Sequence, residues 1–203
     1  FPPRFCVLLC LPRTARLPPL LQNPYICKQH TIYNPNTCKM TFDKKNIYNY
    51  LDGHGINYET TEHKAVSNME ELADIQLPYP ENIAKNLFVC DDKKQNYYLI
   101  TVKGEKRIDL KAFKQKYDTR HLSLAKEEDL KSILGLKPGA VSPLGILNDT
   151  GCKVSLFLDE DFMAPPHIIG IHPNENTATV NLKAEDLVHI ITAHGNTVRI
   201  VQF

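Results

Sequence analysis

From about residue 43 onward, apolar positions recur along the chain with periods that can be assigned to elements. Asp43 precedes "KKNIYNYLDGHG", where Ile47, Tyr50 and Leu51 share one face at helical spacing and glycines end the run, which predicts a capped helix. "INYET" reads as a short strand, and Ser67 followed by Glu70 in "SNMEELADI" is a capping-box pattern that predicts a second helix. The apolar runs "IAKNLFVC" and "YYLITVK" flank the polar "DDKKQN", which predicts an antiparallel hairpin with a solvated turn. Short helices are predicted in "DLKAFKQKY" and "AKEEDLKSILG", the latter stopped by Gly135. After "LKPGAVSPLGILND" come strands in "KVSLFL", "HIIGIHP" and "TATVNL", a helix in "KAEDLVHIITAHG" and a last strand in "TVRIVQF". Strands and helices mix without a regular βαβ alternation. The expected fold is therefore a single α+β domain with a mixed, mostly antiparallel sheet flanked by helices.

One strand carries polar residues that its surroundings do not explain. In "ENIAKNLFVC", period-two alternation puts Lys85 on the face of Ile83, Leu87 and Val89, and Asn86 on that of Ala84, Phe88 and Cys90. If either face is buried, a polar group stands at the edge of a core.

Charge separates the first 39 residues from the rest. They hold five Lys or Arg, no Asp or Glu, half of the fourteen prolines and four of the six cysteines (Cys6, Cys10, Cys27, Cys38), with no sustained apolar period. Residues 1–39 are expected to be a leader outside the domain, disordered or extra coding sequence, with the ordinary protein starting at Met40 and the domain spanning 40–203. "CVLLCL" is too short for a secretory apolar region, and no span reaches the ~18 apolar residues of a membrane helix. The expected location is the cytoplasm, or an organelle if the leader is a targeting segment. Cys27, His30 and Cys38 match no paired-ligand spacing, and Cys90 and Cys152 lie in strand-like contexts and are expected to be buried free thiols of a reducing cytosol, so no metal is expected.

Glycine-rich phosphate loops, HExxH, GxSxG and tandem Cys pairs are all missing. Of the histidines, His30, His54, His121, His189 and His194 read as surface or structural residues. Three places hold candidate chemistry. Lys85 is either a strand-start lysine with its stem over apolar surface or an ammonium for an anionic or ester ligand. In "GAVSPLG", Gly139 and Gly145 flank Ser142 and Pro143 in an irregular turn whose backbone N–H groups can face a ligand. His172, in "GIHPNENTATVNL", stands at a strand end where it can reach a pocket mouth or cap the turn.

These segments resemble the free-standing editing domains related to the insertion domain of bacterial prolyl-tRNA synthetase, the YbaK or prolyl-tRNA-synthetase-associated family. The likeness spans nearly all of residues 42–203. It rests on "KNLFV" with Lys85 and Asn86, Gly-x-x-x-Pro at Gly139 to Pro143 followed by "LGILND", "RIDLKAF", "HPNENTATVNL", and "EHKAVSNMEE" with His63. The resemblance implies a deacylase that removes wrongly attached amino acids from tRNA, and it is strongest to members that hydrolyse alanyl-tRNA(Pro). A synthetic pocket for proline rejects a smaller residue by only about 1–3 kcal/mol, so a second pocket too small for proline must remove the error.

On that resemblance Lys85, Gly139 and His172 are the catalytic candidates, with water as the attacking group and no covalent intermediate. Asn86, His63, Ser142, Pro143 and Gly145 are the substrate-binding candidates. The implied partners are mischarged tRNA(Pro) and, by extension, prolyl-tRNA synthetase, with no membrane, no DNA, no cofactor and no metal. Residues 40–203 are net acidic, so RNA contact is expected from a local patch between Lys103 and Arg120, led by Lys103, Lys106, Arg107 and Lys111. Two rivals remain open at this stage: a cysteinyl-tRNA(Pro) deacylase of the same family, and a noncatalytic tRNA-binding or synthetase-associated adaptor.

Overall fold

The computed structural model describes residues 41–66 and 75–203. The helix predicted from Ser67 and the leader of residues 1–39 lie outside the described residues. Helix α1 (Lys44–Gly53) starts where the pattern placed it, because the Asp43 carboxylate accepts the Asn46 N–H at 2.8 Å and satisfies a first-turn donor. Its apolar stripe buries Ile47 and Leu51.

Strand β1 (Tyr58–Glu62) is followed, after a 3-10 turn at Pro80–Asn82, by the predicted hairpin of β2 (Ala84–Asp91) and β3 (Tyr97–Lys103). Asp91 organises the turn, accepting from the backbone N–H groups of Lys93 and Gln95 and from Asn96 Nδ2. Helix α2 (Leu110–Tyr117) is capped by Asp109, and β4 (Leu122–Leu124) is a three-residue edge strand. The next predicted helix begins as one turn, α3 (Glu127–Asp129), and widens into a π turn over Leu130–Leu134 before Gly135 closes it at φ +68°. The widened turn sends both Leu130 and Leu134 into the core. The Gly/Pro-containing segment that follows is not a loose loop, since Pro143–Asn148 forms a wholly buried 3-10 helix. Strands β5 (Val154–Asp159), β6 (Ile168–Ile171) and β7 (Ala178–Lys183), helix α4 (Ala184–His194) and strand β8 (Val198–Val201) complete the fold.

The fold is mixed and mostly antiparallel, and its ladders form two groups. Five strands run in the order β4-β2-β3-β5-β8, with β3-β5 and β5-β8 parallel. Three antiparallel strands run in the order β1-β7-β6. A lone parallel bridge between Ile83 and Gly170 joins the approach to β2 with β6.

Alternation on the five-stranded sheet divides its apolar residues between two clusters. Phe88, Leu99, Leu156 and Leu158 enter the main core with α1, α4 and the inner residues of β6 and β7, whereas Val89, Ile100, Val102 and Phe157 face α2. There Phe113 meets the Phe157 ring at 4.9 Å, edge to face. Both faces of β2 are thus covered, so the polar pair at its start stands at the border of two cores.

Candidate active site

Asn86 lies on the main-core side of β2. Its Oδ1 accepts the Thr101 hydroxyl at 2.8 Å, and its Nδ2 donates to the Val141 carbonyl at 3.0 Å. Thr101 is fully buried and directly opposite Asn86 on β3, so the amide is held by its neighbour and in turn holds the segment Gly139 to Pro143. This polar residue in an apolar strand is a clamp on that loop.

The loop itself is shaped by backbone. Gly139 has φ +83°, a region that a side chain would make strained. The Ala140 N–H goes to the Lys137 carbonyl, while the N–H groups of Val141 and Ser142 have no intramolecular acceptor among the described residues. Ser142 is fully buried; its hydroxyl donates to the His172 carbonyl at 2.5 Å and receives the Leu144 N–H at 3.3 Å. That hydroxyl is committed to joining the loop to the end of β6, which leaves the Ser142 backbone N–H, not its side chain, as the group a substrate could meet. Pro143 and Gly145 lie deeper. Pro143 starts the buried 3-10 helix at a position needing no N–H, and a β-carbon on Gly145 would come within 2.5 Å of Leu136 Cδ1. Both serve packing beneath the loop.

Lys85 departs from the expected pairing with Asn86. Strand alternation turns it to the opposite face of β2, where its ammonium donates to the Lys106 carbonyl. The two residues therefore do not form one polar floor in this conformation, and the half-buried lysine stands beside the β3–α2 connection.

That connection also carries part of the expected basic patch. Lys106 pairs with Asp159 at 2.9 Å and Asp161 at 2.8 Å, and Asp159 is completely buried. The two carboxylates outweigh burial and raise the Lys106 pKa, and Lys106 in turn lowers that of Asp161. Its charge is spent inside the fold, so it is not a free RNA contact. Arg120 is bound to Asp92 through both Nε and Nη2, and Lys116 donates to the Gln202 carbonyl. Arg107 and Lys111 are exposed, and Lys103 is half-buried at the end of β3.

The three-stranded sheet supplies the histidines. Its inner face, with Val180, Leu182, Ile169 and Ile171, belongs to the main core. Its outer face carries Thr179, Asn181 and Gly170, with His63 one residue past the end of β1 and His172 one residue past the end of β6. His63 Nδ1–H donates to the Lys64 carbonyl at 2.8 Å, and Nε2 meets the Thr179 hydroxyl at 3.0 Å. Both ring nitrogens are thus used within the chain, and His63 braces the sheet. His172 lies 6.3 Å from it between ring centroids. Burial pushes the His172 pKa below its ordinary 6.5; the Ala178 carbonyl pulls the other way, and neighbouring His63 adds to the fall. A neutral ring whose Nδ1–H donates to that carbonyl, at 3.0 Å, presents Nε2 as an acceptor.

Asn174, Asn176 and Asn181 were not singled out in the sequence. Asn174 Nδ2 donates to the Phe42 carbonyl, and Asn176 Nδ2 donates to the Val66 carbonyl, fastening the turn after His172 to both flanking segments. Beside this turn and the loop opens a cleft of about 450 Å³, bordered by Phe42, Lys137, Pro138, Ala140, Asn174 and Asn176. The asparagines of "HPNEN" were the available signal, since a Pro-Asn turn next to a strand-end histidine needs fixed side chains to hold it.

Comparison with known proteins identifies the family. Residues 63–190 match the family model of the aminoacyl-tRNA editing domain. The prolyl-tRNA editing protein ProX of Acetoanaerobium sticklandii is 38% identical over 159 residues, covering 78% of this chain and 96% of that protein. Prolyl-tRNA synthetase associated domain-containing protein 1 of Mus musculus is 31% identical over 155 residues, covering 73% of this chain and 89% of that protein. A crystal structure described as a candidate trans-editing enzyme for prolyl tRNA synthetase shares the fold, with TM-score 0.61 and 21% identity over 81% of this chain and 99% of that one.

Proposed function

Because the chain belongs to the aminoacyl-tRNA editing domain family, we propose that it is a trans-editing deacylase, a hydrolase of the ester bond in mischarged tRNA(Pro), with alanine as the amino acid removed. The observation that carries this reading is the meeting of His172 with the Gly139–Pro143 loop: an acceptor nitrogen beside two unpaired backbone donors, joined through the Ser142 hydroxyl.

In the proposed reaction water attacks the ester carbonyl carbon. The carbonyl oxygen takes up negative charge, and the N–H groups of Val141 and Ser142 donate to it; preorganised donors of this kind are typically worth ~2.7–4 kcal/mol each. His172 orients the water through Nε2, and the terminal ribose's vicinal hydroxyl assists the proton transfer. The carbon–oxygen bond to the ribose then breaks, and the proton lost by water ends on the departing ribose oxygen, leaving free amino acid and tRNA. Lys85, tied only to a carbonyl by a flexible stem, changes partner to meet the ester or the terminal adenosine. The commitment of the Ser142 hydroxyl to the His172 carbonyl argues for water over a serine nucleophile.

The test is deacylation of tRNA(Pro) charged separately with alanine, cysteine and proline, by the protein from Met40 and by Lys85→Ala. Rapid loss of alanine, sparing of proline and collapse in the variant are expected. Preferential loss of cysteine would move the protein to the sister specificity, and tRNA binding without turnover of any ester would overturn the deacylase reading.

A further inference from the structure

Lys85 is half-buried, and among the described residues its ammonium has one partner, the Lys106 carbonyl. No carboxylate of the described residues pairs with it, because Lys106 itself takes the two at this junction, Asp159 at 2.9 Å and Asp161 at 2.8 Å. Lys85 therefore keeps an uncompensated charge, held by a neutral oxygen. The backbone that carries this oxygen is fixed at both ends. Lys85 lies opposite Val102 on β3, and the chain turns just beyond. There the Lys106 N–H donates to the Lys103 carbonyl at 3.0 Å, and the Gly104 N–H donates to the Ile83 carbonyl at 2.9 Å. Asp159, completely buried at the end of β5, accepts the Lys103 N–H at 3.4 Å and the Lys106 ammonium at 2.9 Å, so one carboxylate grips the first and last residues of the turn. It also accepts the Asp161 N–H at 3.3 Å, which ties the turn to the 3-10 segment Glu160–Met163.

We infer that Lys106 and Asp159 are positioning residues for the reaction: their ion pair sets the turn whose carbonyl holds the Lys85 ammonium, so that the lysine starts each turnover from one place. This rests on the deacylase reading above, in which Lys85 leaves that carbonyl for the ester or the terminal adenosine. A lysine on a flexible four-carbon stem samples many positions when nothing holds it. Each of them must be searched before the ammonium meets the substrate, and a defined start removes that search. A carbonyl suits a resting place, because it orients one of the three N–H donors of the ammonium without cancelling its charge. A carboxylate would hold the lysine more strongly. Lys106 keeps both carboxylates of the junction engaged, and it needs no contact with RNA to do so.

The experiment measures kcat and KM on alanyl-tRNA(Pro) for the full chain, Lys106→Met, Lys106→Arg, Lys85→Ala and the double variant Lys85→Ala, Lys106→Met. Thermal unfolding of each reports folding separately, and Asp159→Asn, which keeps the shape and an acceptor oxygen, serves should Lys106→Met fail to fold. In Lys106→Met kcat is expected to fall about tenfold or more, as when a reacting group is slightly misplaced, with KM and the salt dependence of tRNA binding unmoved. Lys106→Arg keeps the ion pair and should restore kcat to within about threefold. In the Lys85→Ala background the methionine substitution should change kcat by less than about twofold, because a residue acting through Lys85 has nothing left to act on. Reductive methylation read by mass spectrometry needs no turnover: relative to the exposed Lys111, Lys85 should react faster in Lys106→Met than in the full chain. An equal loss of kcat in both backgrounds overturns the inference, as does unchanged Lys85 methylation in a folded variant. Turnover of no ester by the full chain, with tRNA still bound, overturns the deacylase reading itself, and methylation then still decides whether the ion pair holds Lys85.

Discussion

His172 shows how one residue's surroundings determine the pH at which the domain can work. Its pKa is depressed, chiefly by burial, so unfolding at a pH below the ordinary value takes up a proton. The linkage contributes stability that is fully present above pH 6.5 and is lost as pH falls from there through the lowered folded value. If His172 positions the water as a neutral acceptor, kcat/KM should be level between pH 7 and 8 and should decline only below 6.5. Stopped-time deacylation assays across pH 5 to 8 check this, and a decline centred above pH 7 would remove His172 from the role. The histidine was legible in the sequence as a strand-end residue before a Pro-Asn turn. Its neutrality was not, because that depends on burial and on His63 from a strand more than a hundred residues earlier. Lys85 and Asn86 teach the same limit: alternation separated their faces, but which face met the Gly139–Pro143 loop is a tertiary fact.

At the level of elements, most helix and strand positions followed from caps, periods and glycines, as with Asp43 before α1, Asp109 before α2 and Gly135 after the π turn. Asp43→Ala should cost about 1 kcal/mol of stability, read by urea unfolding, since it orphans a first-turn N–H. The β3–α2 connection was misread for a physical reason: a lysine paired with a buried carboxylate and a lysine in solvent look alike in sequence. Lys106→Met leaves Asp159 buried without its cation, although the backbone N–H groups of Lys103 and Asp161 still reach it. Removing one partner of such a pair typically costs about 3–5 kcal/mol, and the remaining donors place the expected loss near the lower end. A loss under 1 kcal/mol would show that water takes the place of the cation at Asp159. The division of the strands into two hydrogen-bonded groups was also illegible, because β1 pairs with β7 over more than a hundred residues and no local period reports it.

On the scale of the whole molecule, the first 39 residues are about +5 and the remainder about −4, so the domain has no general attraction for a polyanion. Affinity for tRNA must then depend on a few exposed cations, and with Lys106, Lys116 and Arg120 engaged within the chain the free ones near α2 are Arg107, Lys111 and Lys114, with Lys103 partly accessible. Each phosphate neutralised by such a group releases condensed counterions and adds about 0.7–0.9 to the slope of log affinity against log salt. The paired variant Arg107→Glu, Lys111→Glu should therefore weaken tRNA(Pro) binding at 50 mM salt and reduce that slope by about 1.5, with little change in unfolding midpoint because both side chains are exposed. Turnover at saturating tRNA should hold, since neither residue touches the His172 loop. Measuring Kd by filter binding at several salt concentrations separates this from a structural effect: a lower affinity with an unchanged slope would mean that the substitutions altered the fold or the cleft, and an unchanged Kd would mean that the acceptor end is held by another face.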